Sequence, residues 1–129
     1  MSHFTRVRTR LVDERTIRGA LARMGYEVLP PGNGVHGWRG QKADAAFKVR
    51  PAGTKYEIGF VPESGRGFTV VADWWGVDVL PKDAFMQRLT REYALVGTVS
   101  ALAEQGFEVQ EQVEKESGEI RVVLRRVGA

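Results

Sequence analysis

The sequence predicts an α+β fold: a single mixed, mainly antiparallel sheet with two helices on one face, built as two ferredoxin-like β-α-β units with an inserted hairpin. Three observations carry this prediction. Short runs of alternating apolar and polar residues, the period of a half-buried strand, flank two segments with helical periodicity. An internal echo joins the two units: ALARMGYEV at 20–28 and ALAEQGFEV at 101–109 share a helix end, a glycine, an aromatic, a glutamate and a valine. Each follows a strand that begins Phe-Thr, at Phe4-Thr5 and at Phe68-Thr69. Finally, 129 residues with 43% hydrophobic content suffice for one core, so residues 1–129 are expected to form a single domain.

The elements are taken in chain order. In the span 3–11, Thr5, Val7, Thr9 and Leu11 alternate with Arg6, Arg8 and Arg10, which is a strand with one charged face. Asp13 is placed to cap a helix whose Ile17, Ala20, Leu21 and Met24 fall at helical spacing and which ends at Gly25. A short strand, 26–29, precedes the segment PPGNGVHGWRGQ at 30–41, whose four glycines and two prolines predict a loop. Strands at 45–50 and 55–61 then form the inserted hairpin, and the turn PESGRG leads to a strand over 68–75. Pro81 suits the first turn of a long helix with Asp83 near its positive end. Phe85, Leu89, Val96, Val99 and Ala103 form its apolar stripe, with Tyr93 at the edge, and it should stop at Gly106. A hairpin, 107–113 and 120–127 around a polar tip, closes the chain.

Right-handed crossovers place both helices on one sheet face and the two leading strands side by side in its middle. Strand parity then divides the adjacent tryptophans of DWWG. Phe68, Val70, Ala72 and Trp74 form an apolar row expected to face the helices. Thr69, Val71, Asp73 and Trp75 form a mixed row expected on the open side, which Arg6, Arg8 and Arg10 share.

Composition excludes several classes of function. The absence of cysteine rules out disulfides, thiolate metal sites and a cysteine nucleophile. The segment MSHFTRVRTR lacks the apolar stretch of a secretory signal, and no apolar run is long enough to cross a bilayer, so a cytoplasmic protein without membrane association is expected. The glycines of GNGVHG at 32–37 match the dinucleotide fingerprint literally, but preceding prolines and the lack of a following helix make the segment a loop. The two histidines, His3 and His36, have no carboxylate at ligand spacing, so no metal and no cofactor are expected. No serine sits on a nucleophile turn and no phosphate loop is present, so the chain is not expected to be an enzyme.

Charge is more informative. Residues 1–60 hold 11 Lys/Arg against 5 Asp/Glu, whereas residues 61–129 hold 8 against 11, so the net +3 conceals a basic first half. The arginine row admits three readings. Asp73 and nearby glutamates could neutralise it internally. It could anchor a protein partner around the aromatic Trp75. Or it could grip a phosphate backbone while Trp75 stacks a base. Arg39 is a further partner-binding residue, because flanking glycines let its backbone approach a partner closely.

Several segments together resemble a known family: MSHF at the amino terminus, GWRGQ at 37–41, YEIGF at 56–60, DWWG at 73–76 and Tyr93-Ala94. They are similar to the domain family of unknown function typified by the conserved hypothetical chloroplast open reading frame thirty-five of algal plastids and cyanobacteria. The resemblance spans nearly the whole chain. It departs in the long helix, where relatives look like Q-R-Y-A-Y and this chain has Arg91-Glu92-Tyr93-Ala94-Leu95. The resemblance implies an accessory role beside AAA-type ATPases, near which some relatives are encoded. The expectation is therefore a non-catalytic adaptor that binds a protein partner, such as an AAA-type ATPase, through Arg6, Arg8, Arg10, Arg39, Asp73 and Trp75. Nucleic acid on the same face is the alternative.

Overall fold

A computed structural model describes residues 4–77 and 81–127, with the backbone alone at Trp75 and Gly76. The elements, in chain order, are β1 (Thr5–Arg8), α1 (Glu14–Arg23), β2 (Val28–Leu29), β3 (Val35–His36), β4 (Lys42–Ala43), β5 (Phe47–Val49), β6 (Ile58–Val61), β7 (Thr69–Ala72), α2 (Lys82–Glu104), β8 (Phe107–Glu114) and β9 (Ile120–Arg126). Short 3-10 turns occupy Trp38–Gly40 and Trp74–Val77. The α+β class holds, but the strands form three sheets rather than one. Five strands pair in the order β1-β7-β6-β5-β2, every neighbour antiparallel, while β3-β4 and β8-β9 are separate two-stranded ribbons.

The predicted helix ends are where local chemistry puts them. Asp13 caps α1 by accepting the Arg15 N–H at 3.1 Å and the Thr16 hydroxyl at 2.8 Å. Gly25 and Gly106, the shared glycine of the two echo segments, both take φ of 90° just beyond a helix, a left-handed conformation that a side chain would strain. The strands beyond these glycines have different fates. After α1 the chain enters the five-stranded sheet as β2, whereas β8 pairs only with β9. Helix length explains this. At about 1.5 Å per residue, α1 spans ~15 Å and returns over strands of similar length, but α2 spans ~34 Å and carries the chain past the sheet.

The overshoot also reshapes the α2 stripe. Phe85 and Leu89 are fully buried against Ile17, Ala20 and Leu21 of α1 and the stacked rings of Phe47 and Phe60, 5.0 Å apart. Farther along, Val96 and Val99 are half-buried and Ala103 is exposed. The next inward side chain after Leu89 is charged: Glu92 is buried and accepts a hydrogen bond from Arg23 Nε at 2.6 Å, pinning α2 to the end of α1. Tyr93 makes a second tie, its hydroxyl oxygen accepting the Val12 and Asp13 N–H groups, each at 3.1 Å.

The leading strands are neighbours as predicted, with Arg6 opposite Val71 and Val7 opposite Val70. However, β1 lies at the sheet's edge rather than in its middle. The apolar row behaves as parity requires: Phe68, Val70, Ala72 and Trp74 all belong to the core beneath the helices, with Trp74 5.9 Å from Phe85. The opposite face of β7 is not open. Val71 and Asp73 are fully buried beneath the glycine-rich segment, which folds back over the sheet as β3-β4. Gly59 permits this close approach, since a Cβ there would collide with Val35 and Ala45.

Two stability measurements check this architecture. Gly59→Ala should cost about 2 kcal/mol in chemical denaturation, because the loop layer has to lift off β6. Trp74→Ala should cost about 3 kcal/mol as a core truncation. Trp74→Phe should cost markedly less, because it also removes an indole N–H that is buried with no partner among the described residues.

Candidate partner-binding face

Two buried carboxylates hold the glycine-rich segment on the sheet. The first is Asp73, just past β7 where the chain leaves the strand for a 3-10 turn. Its Oδ2 accepts the Trp38 N–H at 2.9 Å. That bond joins DWWG to GWRGQ. Gly37 is packed beneath the ring of Phe4, where a Cβ would come within 2.7 Å of the ring carbon. Arg39 takes the left-handed conformation, φ 56°, and its guanidinium lies 4.1 Å from the centre of the Trp38 ring. Trp38 is left 37% exposed on a turn held from below.

The second carboxylate is Glu57. It accepts the His36 backbone N–H at 3.0 Å, contacts the His36 ring Nδ1 at 3.1 Å through both oxygens, and accepts from Lys48 Nζ at 3.2 Å. Lys48 also donates to the Gly34 carbonyl at 2.8 Å. Lys48 and Glu57 are both buried, and each satisfies the other's charge while bonding the loop. Burial alone would raise the Glu57 pKa. Hydrogen bonds from the His36 and Glu57 amides, the His36 ring and Lys48 outweigh it and lower the value from an ordinary 4.5 to about 2.

Sequence reasoning placed Arg6, Arg8 and Arg10 on one side of β1, and all three are exposed there. None makes an ion pair or hydrogen bond through its side chain among the described residues, and Glu63 is the carboxylate that shares a pocket with Arg8. Arg39 is exposed at the Trp38 turn, but the glycine before it receives the chain's own Phe4 rather than a partner. Asp73 is not on an open face: it shares the face of β7 opposite the helices with Val71, as alternation places it, but the glycine-rich segment covers that face, so Asp73 is fully buried and holds the loop. The Trp75 side chain lies outside the described residues.

Trp38, Lys48, Glu57 and Arg66 escaped the sequence reading, and His36, considered there as a histidine without a carboxylate at ligand spacing, meets Glu57 across the fold. A lysine flanked by Phe47 and Val49, and a glutamate preceding Ile58, were the available signals, since a buried charge within an apolar strand requires a buried counter-charge. Arg66 lies with Arg8, Thr9, Glu63, Gly67 and Thr69 around a small notch of about 100 Å³.

Glu57→Gln should destabilise the fold by about 3 kcal/mol, because it strands the buried Lys48 ammonium. Acid should act through the same group. Its pKa is lower in the folded chain, so its contribution, about 3 kcal/mol, is present above pH ~4.5 and lost as pH falls towards ~2. The wild type should therefore lose more stability across that window than Glu57→Gln, as denaturant midpoints at each pH would show. Asp73→Ala should cost about 2–3 kcal/mol and leave the Trp38 amide exchanging freely with solvent, which hydrogen exchange would register.

The chain is 30% identical over 132 residues to an uncharacterized protein ycf35 from Guillardia theta, and the alignment covers 98% of each chain. Proteins with the same description from Cyanophora paradoxa and Pyropia yezoensis are 27% and 28% identical, again over 98% of both chains. No solved structure matches. A family described as "Protein of unknown function (DUF1257)" matches residues 20–123, and the chain belongs to that family.

Proposed function

We propose that this chain is a small, non-catalytic accessory protein that binds an acidic surface of a protein partner. The docking face is the outer side of β1, with Arg6, Arg8 and Arg10, together with the Trp38–Arg39 turn. The observation that carries this reading is the contrast among the arginines. Arg18, Arg23, Arg91 and Arg125 each pair with a glutamate, while Arg6 and Arg8 of β1 and Arg10 just beyond it make no such pair among the described residues and, unlike the other arginines without one, recur at three alternate positions along one sheet edge. An unpaired row on an edge strand discourages unwanted strand addition and at the same time attracts opposite charge. Trp38 adds an aromatic anchor whose backbone is held in place before binding.

The cluster of buried Glu57 and Lys48 with the partly exposed His36 is read as structural, since its bonds run into the seam between loop and sheet. An AAA-type ATPase is the partner class that the family resemblance suggests. Nucleic acid is the second reading, favoured by the same arginines without ion pairs and by an exposed indole with Arg39 over its ring.

Affinity capture from the host with wild type and with the Arg6→Glu/Arg8→Glu double variant tests both, provided the captured protein is purified and rebound. Charge reversal should weaken rebinding at least ~10-fold, and the wild-type affinity should fall as salt rises. Trp38→Ala should weaken it by a similar factor without changing the salt slope. Equal rebinding by wild type and the double variant would refute the proposed face. Capture abolished by nuclease treatment would transfer the face to nucleic acid.

A further inference from the structure

The notch beside β1 gives the proposed face a specific receptor. Thr9 donates to the Phe68 carbonyl through its backbone N–H at 3.1 Å and its hydroxyl at 2.6 Å, and Phe68 donates back to the Leu11 carbonyl at 2.8 Å. The segment before β7 is thereby clamped to the end of β1. Gly67 is required there, because a Cβ would strike the Thr9 carbonyl oxygen. Its turn is closed by the Arg66 N–H donating to the Glu63 carbonyl at 3.0 Å. The clamp brings Arg8 and Arg66 to the walls of one notch, with Glu63 and Thr69 completing it.

Charge and size then select the ligand. Arg8 and Arg66 make no side-chain ion pair or hydrogen bond among the described residues, although Glu63 lines the same notch. One Glu63 oxygen is engaged by the Thr69 hydroxyl at 3.0 Å. Two guanidinium groups and one carboxylate leave a single positive charge, which a monoanion balances and a phosphoryl dianion over-fills. A notch of about 100 Å³ is a small one, and a side-chain carboxylate is a ligand of matching scale. Planar guanidinium forks are suited to a carboxylate approached from two sides.

We propose that the notch between Arg8 and Arg66 is a socket for one aspartate or glutamate side chain of the partner. This rests on the acidic-partner reading above and makes it more specific: Arg8 belongs to the socket, and Arg10 contributes only long-range attraction.

The test uses the full chain and blocked peptides, titrated at low salt and followed by amide NMR shifts. The probes are hexaglutamate, hexaglutamine and a phosphoserine peptide of equal length. Hexaglutamate should move the Gly67 and Thr69 amides, and hexaglutamine should not. Arg8→Ala and Arg66→Ala should each weaken hexaglutamate binding ~10-fold, with Arg8→Lys recovering only part of the loss. Arg10→Ala should weaken it no more than ~3-fold, as expected of a screened surface charge. Equal losses at Arg8 and Arg10 would overturn the socket while leaving an acid-binding face. Tighter binding of the phosphoserine peptide would overturn the charge count and hence the carboxylate assignment. No binding by any probe at low salt would overturn both the socket and the acidic-partner reading.

Discussion

The Glu57 carboxylate is the contact on which the rest of the second layer depends. Helices cover one face of the five-stranded sheet through ordinary apolar packing, but the other face is covered by a glycine-rich segment with few large side chains. Val35 is its main apolar contribution, and Gly59 must lack a side chain to receive it. Polar anchoring supplies the remainder. A carboxylate withdrawn from water requires several donors, and those donors come from both layers: the His36 amide and ring above, Lys48 below. Asp73 repeats the device at the end of β7, holding the Trp38 amide. Together they convert a loop into an ordered platform.

That platform bears on how the charge of the molecule is used. Of the ion pairs among the described residues, only Arg23 with Glu92 joins the basic first half of the sequence to the acidic second half. Arg91, Lys115 and Arg125 pair with glutamates of their own half. Lys48, central in the sheet, is absorbed by Glu57. The excess positive charge therefore remains at the surface, where water screens it, and Arg6, Arg8 and Arg10 at the sheet's edge are part of it.

The two echo segments show how far local similarity reaches. Both end a helix at a glycine with the same positive φ, because that chemistry is local. Yet Ala20 and Leu21 are fully buried, while Ala101 is exposed and Leu102 only half-buried. A helix of ten residues returns its strand to the sheet; one of twenty-three residues does not. Similar sequence thus produces similar caps and different neighbours.

From the sequence alone came the α+β class, the helix limits at Asp13, Gly25 and Gly106, the assignment of Trp74 to the core and the exposure of the β1 arginines. Each depends on residues near one another in the chain, through period, capping or alternation. The tertiary structure decided what lies over the second face. Alternation put Asp73 on the face of β7 opposite the helices but gave no guide to what covers that face. The pairing of Glu57 with His36 and Lys48 spans loop, strand and strand, and no spacing announces it. The notch between Arg8 and Arg66 exists because Thr9 and Phe68 bond across 59 positions of sequence. Burial of charge and the meeting of distant strands are properties of the packed chain, and they decided which residues build the platform and which remain exposed.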